Sequence, residues 1–232
     1  MDKPYVTAAI LAAGIGSRMQ SSVTKQKMLL SGKSVIRRAV DLFCESSFVD
    51  DIIVVVREDE KDFVETELEG VNKPYKLVVG GKFRAESARN AFLALEPKAN
   101  FIAIHDAARC LTAKSDIEAV INDAFKFGAA TATREVFDTV KEIDEQGFIK
   151  QTKDRSFMRF AETPQVFLVE LYKQALDTLG KLDASITDDN MLMEKVGKQV
   201  FATKMTKSNL KITTKSDITY AEFILKGNTG NE

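Results

Sequence analysis

The residues best placed to do chemistry come early. Leu11-Ala12-Ala13-Gly14-Ile15-Gly16-Ser17-Arg18-Met19 closes the apolar run Val6 to Leu11, and Lys25 stands seven residues beyond Arg18. The run reads as a buried strand. Small residues let the backbone turn sharply and approach a ligand closely. Inward-facing N–H groups in such a turn make a concavity for an anion. On Gly14 and Gly16 alone, a plain strand-to-helix turn is an equal reading; the cations Arg18 and Lys25 favour a phosphate cradle. That cradle would sit at the carboxyl end of a strand, where open α/β sheets take their ligands. It is neither of two better-known phosphate loops. Gly32-Lys33-Ser34 has no glycine five residues earlier, and Met19 stands where the dinucleotide fingerprint needs a third Gly or Ala.

Further polar groups recur after apolar runs. Gly80, Gly81, Arg84 and Ser87 follow one; His105, Asp106 and Arg109 follow another; Thr139, Arg155, Thr163, Thr187, Asp188 and Lys211 come later. Parallel strands place their ends along one edge, so these groups can line one crevice. Asp106 reads either as a turn cap or as a contact to Mg²⁺, a ribose hydroxyl or a substrate's polar end. His105 has no Ser or Cys nucleophile beside it and reads as a packing residue. Thr187 can cap a following helix, with Asp188 and Asp189 favouring its N-terminus. Cys110 reads as a bystander thiol and Arg37-Arg38 as a solvated helix face. One His and two Cys make no convincing zinc site. Any metal should be a hard cation such as Mg²⁺, held by phosphates and a carboxylate, with Asp106 as the candidate ligand.

The elements that must position these groups alternate. Strand patterns at Val6–Leu11, Ile52–Val56, Tyr75–Val79 and Phe101–Ile104 are separated by helical patterns at Ser34–Phe43, Glu58–Leu68 and from Arg84. Ser115–Phe127 reads as a helix with Ser115 as N-cap, Glu118 completing a capping box and Gly128 as its stop. This alternation predicts an α/β fold, Rossmann-like, with a mostly parallel sheet and helices on both faces. Beyond Ala129 the rhythm changes. Val136–Ile143 and Phe148–Thr152 read as hairpin strands around Gln146-Gly147. The hairpin is charged and reads as a protruding arm, over about residues 136–155. A lone hairpin is marginally stable, so a second copy of the chain is its expected partner. Helices are expected at Leu168–Leu179, Asp188–Lys195 and Asp217–Leu225, and strands at Gln199–Ala202 and Asn209–Thr214.

The bulk numbers fit one soluble unit, residues 1–232. Apolar residues are 44% of the chain and the net charge is −1. No clustered basic excess suggests nucleic acid, and no window nears the roughly 18 apolar residues of a membrane span. Two distant cysteines and an N-terminus that runs straight into a strand fit a reducing, cytoplasmic setting without a signal peptide.

Nine pieces in fixed order carry a resemblance. They are 11–19, Lys25-Gln26, Gly80-Gly81 with Arg84 and Ser87, His105-Asp106-Ala107-Ala108-Arg109, Asp138-Thr139-x-Lys141, Asp154-Arg155, Thr163-Pro164-Gln165-x-Phe167, Thr187-Asp188 and Asn209-x-Lys211-x-Thr213. From Ala8 to Glu222 the chain resembles the 2-C-methyl-D-erythritol 4-phosphate cytidylyltransferases of the non-mevalonate isoprenoid route. The related ribitol-5-phosphate cytidylyltransferases usually have Ala-Gly-Gly at 12–14 and Asp-Ala-Val-Arg at 106–109, which this chain lacks. A glycosyltransferase would want an Asp-x-Asp motif, and His105-Asp106-Ala107-Ala108 offers one Asp. A non-catalytic relative could lose Lys25 or Lys211, and both are present. Cys110 and Glu135 replace usual prolines, Lys82 a common acid, and Lys27-Met28 the aromatic after Lys-Gln.

The resemblance implies attack of a polyol phosphate on the α-phosphorus of CTP, with pyrophosphate leaving and Mg²⁺ or another divalent cation assisting. It assigns Arg18 and Lys25 to the triphosphate, and Lys211 and Arg155 to the incoming phosphate. The nucleotide set comprises Ala12, Ala13, Gly14, Gly16, Gly80, Gly81, Arg84 and Ser87 beside those two cations. The substrate set comprises Asp106, Arg109, Thr139, Thr163 and Thr187 with Arg155 and Lys211. It also implies a homodimer in which each arm, with Thr139 and Arg155, serves the other subunit's site.

Overall fold

The computed structural model describes residues 3–14 and 24–228. The fully buried strands predicted from their apolar runs form as expected: β1 (Val6–Leu11), then, beyond a small hairpin of β2 (Leu29–Leu30) and β3 (Lys33–Ser34), β4 (Asp51–Val56). The helices α1 (Val35–Glu45) and α2 (Lys61–Glu67) flank β4. β5 (Tyr75–Val79), α3 (Arg84–Leu93), β6 (Phe101–Asp106) and α4 (Lys114–Phe127) continue the alternation. Then come β7 (Ala129–Glu135), β8 (Lys141–Ile143), β9 (Ile149–Thr152) and β10 (Arg159–Leu168). The chain ends through α5 (Val169–Leu179), α6 (Asn190–Lys195), β11 (Phe201–Lys204) and α7 (Lys215–Asn228).

Seven strands make one sheet in the order β11-β7-β10-β6-β1-β4-β5. All neighbours in it are parallel except β10, which runs against both β6 and β7. Successive strand residues point to opposite faces. Val6, Ala8 and Ile10 therefore meet one layer, with Ile36, Val40 and Phe43 of α1 and Ile117, Val120 and Ile121 of α4. Ala9, Ile53 and Val55 meet the other, with Ala88 of α3, Tyr172 of α5 and Met193 of α6. Helices thus cover both faces of a mostly parallel sheet, as predicted. Among the described residues no helix is long and apolar enough to cross a membrane.

Several local expectations need correction. Ser115 is not the cap of α4: the helix starts one residue earlier, Ala113 is its N-cap, and no side chain caps it. Glu118 accepts instead from the Ser46 hydroxyl at 3.1 Å. The Glu58–Leu68 helix is split into a 3₁₀ turn, Glu58–Glu60, and α2. Arg37 and Arg38 are not merely solvated. Arg37 donates to Glu67 O and Glu69 O, and Arg38 to Leu30 O, tying α1 to the end of α2 and to β2. In the arm, Val136–Val140 is a connector and only Lys141–Ile143 pairs as a strand. The last strand lies two residues later than Gln199–Ala202, as β11. Asn209–Thr214 is not a strand but an irregular crossing, docked by Ile212 N–H on Ala108 O at 2.8 Å.

Neither β7 nor β10 is visible as a sequence pattern. β7 is rich in Ala and Thr, and β10 holds the polar run Glu162-Thr163-Pro164-Gln165. β10 matters most for the site. Gln165 pairs with Ile104 of β6, so the antiparallel strand's first half projects past the carboxyl edge of β6. A register shift between Ala161 and Gln165 interrupts its pairing with β7. Such irregularities re-aim side chains beside functional sites.

Candidate active site

The carboxyl ends of β1, β5 and β6 open on a cavity of about 320 Å³. Its wall includes Ala13, Gly14, Lys25, Gly81, Arg84, Ser87, Asp106 and Lys211. A second cavity, about 220 Å³, adjoins it and is lined by Arg109, Glu162, Thr163, Thr187 and Asp188 together with Arg84, Asp106 and Lys211. The last three line both. The fold thus gathers most of the sequence-predicted residues into two joined chambers with a charged divide.

Two predicted residues stand behind the wall. Ala12 is buried, its N–H donates to Val55 O at 2.7 Å, and its carbonyl accepts from the Gln26 side chain. Gly80 donates to Val56 O at 2.8 Å and backs onto Ala13 and Ser87. Ser87 Oγ accepts from Gly81 N–H at 3.1 Å, which fixes the glycine turn after β5. Thr139 and Arg155 are on the arm and line neither cavity; Arg155 donates to Phe137 O there. Gly16 and Arg18 lie outside the described residues.

The divide is a chain of charges. Asp106 Oδ1 takes Arg84 Nε at 3.0 Å, and Oδ2 takes Lys211 Nζ at 2.6 Å. Arg84 Nη1 reaches Asp189 Oδ2 at 2.6 Å. Tyr172, buried at the far end, donates its hydroxyl to Asp189 Oδ1 at 2.7 Å. Burial alone would raise the Asp106 pKa, but Arg84 and Lys211 outweigh it and hold the carboxyl well below its usual range. Burial opposes the Arg84 charge, and Asp189 and Asp106 more than restore it, so its pKa is raised. Burial and Asp189 push the Tyr172 phenol well up, which keeps it a donor.

His105 organises the wall beneath Asp106. It is fully buried, with its ring 5.0 Å from that of Phe43. Nε2 lies 3.2 Å from Arg109 O, and Nδ1 3.1 Å from Thr163 Oγ1. A carbonyl only accepts, so the ring proton is assigned to Nε2 and Nδ1 accepts the Thr163 hydroxyl. Thr163 Oγ1 in turn accepts Asp106 N–H at 3.1 Å. Burial pushes the imidazole pKa down to about 4, so His105 is neutral at pH 7. The packing reading of His105 holds, with a clear purpose: it sets the β6 end against β10.

Arg109 is pinned by Asn209 O at 2.6 Å and pairs with Glu162 at 3.6 Å; burial lowers its pKa against the pull of Glu162. Asn209 also donates to Thr163 O at 2.9 Å and accepts from Thr112 at 2.6 Å. Thr187 does not cap α6: its hydroxyl turns to Met191 Sδ, while Asp188 Oδ1 accepts Met191 N–H. Burial pushes the Cys110 thiol up to about 12, consistent with a bystander. Among the described residues no group of three or more His, Cys, Asp and Glu gathers as a metal site. Among the described residues, Asp106 is the one carboxylate that lines both cavities.

Sequence reasoning missed Glu162, Asp189, Tyr172 and the holding role of Asn209. Glu162 went unread although it stands one residue before a quoted motif, Asp189 was read only as an acid favouring a helix N-terminus, and Tyr172 occupies an apolar helical position. The available signals were proximity to quoted motifs: Glu162 precedes Thr163, Asp189 follows Asp188, and Asn209 stands two residues before Lys211.

This geometry has relatives. The family model described as 2-C-methyl-D-erythritol 4-phosphate cytidylyltransferase matches residues 6–227. An enzyme of that name from Endomicrobium trichonymphae is 39% identical over 219 residues, covering 94% of this chain and 98% of its own. One from Pelotomaculum thermopropionicum is 35% identical over 233 residues, covering 99% and 97%. Among solved structures, 4-diphosphocytidyl-2C-methyl-D-erythritol synthase from Anaerococcus prevotii superposes with a TM-score of 0.87 at 28% identity, covering 97% of this chain and 100% of its own. With a whole-chain family match joined to these relatives, the chain belongs to the 2-C-methyl-D-erythritol 4-phosphate cytidylyltransferase family.

Proposed function

We infer that the chain transfers CMP from CTP to 2-C-methyl-D-erythritol 4-phosphate, forming 4-diphosphocytidyl-2-C-methyl-D-erythritol and pyrophosphate. One observation carries the reading beyond the family: two chambers share a wall of Arg84, Asp106 and Lys211. The first, walled by Ala13, Gly14, Gly81 and Ser87, suits a pyrimidine and its phosphates. The second, with Arg109, Thr163 and Thr187, suits a polyol phosphate. Small residues admit cytosine and exclude larger bases by clash.

The reaction asks little of a base. The attacking phosphate oxygen is already ionised, so a neutral, fully engaged His105 is no obstacle. The need is to bring two anions together and to stabilise charge gathering on the α-phosphoryl oxygens and the leaving pyrophosphate. Lys25 at the first chamber and Arg18, seven positions before it in the sequence, would neutralise the triphosphate. Lys211, on the shared wall, would draw the incoming phosphate toward the α-phosphorus. Arg84 and Asp106 would fix that wall.

A divalent cation fits this donor set. Mg²⁺ commonly takes one or two carboxylates plus substrate phosphates, and Asp106, held ionised, would be its protein ligand. When bound, the ion would supply further charge neutralisation at the triphosphate.

The same reading gives one nucleotidyltransferase domain over 1–232 that works as a homodimer. Support comes from the arm, residues 136–155. Its two strands form a sheet of their own, and Phe137 and Phe148 there are 70% and 73% exposed. Apolar rings on a projecting hairpin fit burial against a second copy, which would carry Thr139 and Arg155 to that copy's site. A cytoplasmic setting belongs to this reading, in keeping with two free thiols.

Pyrophosphate release with CTP tests the function. Turnover with methylerythritol phosphate should greatly exceed that with ribitol 5-phosphate. The reverse order, or no release with either, overturns it.

A further inference from the structure

Among the described residues, the crossing that carries Lys211 belongs to no strand. It is tied at one end by Lys207 N–H on Asp116 Oδ2 at 3.0 Å, and at the other by Ile212 N–H on Ala108 O at 2.8 Å. Between these ties Asn209 turns inward and is buried. Its Nδ2 donates to Thr163 O of β10 at 2.9 Å, and its Oδ1 lies 2.6 Å from the Thr112 hydroxyl. A carbonyl only accepts, so the amide is oriented with its nitrogen toward Thr163. Thr112 shares its one proton between Asn209 Oδ1 and Arg109 O, which is 2.8 Å away.

The backbone of the same residue acts on a different target. Asn209 O accepts Arg109 Nη1 at 2.6 Å. Glu162, at 3.6 Å, stands beyond hydrogen-bond reach of that guanidinium. Among the described residues, the hydrogen bond that orients Arg109 is therefore the one to Asn209. Arg109, Thr163 and Lys211 all line the second chamber, and Asn209 does not. Asparagine offers a donor and an acceptor from one short side chain; aspartate lacks the donor and alanine lacks both. Hydrogen bonds in so buried a place are electrostatically stronger than in water.

We propose that Asn209 is a positioning residue whose buried amide fixes where Arg109 and Lys211 stand on the wall of the second chamber. The amide sets the crossing against β10 and against the turn after β6. Its own carbonyl then presents the acceptor for Arg109, and Lys211 leaves the crossing two residues later. The consequence is selective. Arg109 and Lys211 face the polyol phosphate, whereas the small-residue wall of the first chamber follows β1 and β5 or stands on α3. That substrate assignment rests on the function inferred above; the geometric claim does not.

Two measurements test this. The first is a crystal structure of the unliganded Asn209→Asp protein. The variant keeps the Thr112 contact and sets an acceptor against Thr163 O. The crossing should draw back, with the Arg109 guanidinium and Lys211 Nζ displaced from their parent positions. Arg109 and Lys211 unmoved overturn the proposal whatever the enzyme does. The second is steady-state kinetics. Asn209→Asp should raise KM for methylerythritol phosphate about tenfold, the scale of one lost hydrogen bond, and raise KM for CTP far less. Thr112→Val removes one hydroxyl and keeps the asparagine. It should shift the same KM severalfold, and it serves both measurements if the first variant does not fold. A change that only loosened the fold would remove active enzyme, lowering kcat and leaving both KM values alone. Equal shifts in the two KM values, or a loss confined to kcat, overturn the proposal. A parent that releases no pyrophosphate fails the inferred function instead, and the crystal structure then decides.

Discussion

Replacing Gly80 by alanine probes the small-residue wall from behind. Gly80 has ordinary backbone angles, so alanine brings no dihedral strain. Its Cβ would meet Ala13 Cβ well inside 3.0 Å, with Ser87 Oγ at 3.0 Å and Val55 Cγ1 at 3.5 Å. Ala13 Cβ has no rotamer by which to move aside. Either the end of β1 or the turn after β5 must yield, by on the order of 1 Å to regain van der Waals contact. Overpacking of this kind costs about 1–3 kcal/mol, and a rigid neighbour places it near the upper end. For a chain of this size that is roughly a 5–10 °C loss in melting temperature. Because Ala13 lines the first chamber, its displacement should also raise KM for CTP more than it lowers kcat. Ala13→Gly removes the atom that is struck. In the double variant the new Cβ faces only a rotatable hydroxyl and an ordinary contact. Thermal melting and CTP saturation curves of the two singles and the double complete the cycle. The double should be more stable than Gly80→Ala alone, with KM restored toward the parent value. A double variant as unstable as the sum of the singles would show that the two Cβ positions do not compete.

Lys25→Ala should lower turnover roughly a hundredfold at saturating CTP, the scale of one lost transition-state donor, with melting temperature retained; near-normal turnover rejects the loop assignment. Arg155→Ala and Lys25→Ala chains, each nearly inactive, should regain activity on subunit exchange. Mixed dimers, about half of the total by symmetry, would each hold one intact site, and no recovery after proven exchange rejects the crossed arm. His105 is the chain's single histidine. Unfolded it takes a proton near pH 6.5, but folded only at about 4. Stability should therefore fall as pH drops through that window, by about 3 kcal/mol in total. Urea titrations at pH 7 and 5 of the parent and His105→Gln should show the variant losing less on acidification; equal losses reject the buried neutral ring.

How legible the fold was depended on what each strand buries. β1, β4 and β6 lie inside the sheet with both faces covered, so their apolar runs are unbroken and unmistakable. β7 is as deeply buried but uses Ala and Thr, which carry little strand signal. β10 hides for a different reason. Its middle, Glu162 to Gln165, is polar because it faces Arg109, His105 and Asp189 rather than a hydrocarbon layer. A strand that builds a site cannot show the alternation of one that only builds a core. The arm was visible through its turn, Gln146-Gly147, yet its first strand was overextended, because connector and strand share the same mixed polarity.

The same distinction separates the site residues that were readable from those that were not. Lys25, Arg84, Asp106 and Lys211 are charged and follow strands or stand in loops, so residue type and place together point to a crevice. Asp189 and Tyr172 reach their targets only across the folded sheet. Arg84 and Asp189 are 105 positions apart, and so are Asp106 and Lys211. Read locally, Asp189 is one more acid at a helix start and Tyr172 one more apolar position on α5. Their roles follow from opposing electrostatics in a confined place. Asp106 draws Arg84 and Lys211 together, and Asp189 balances Arg84 from its buried side. The pairing of Arg84 with Asp189, and of Asp189 with Tyr172, joins segments that no local pattern connects and exists only in three dimensions.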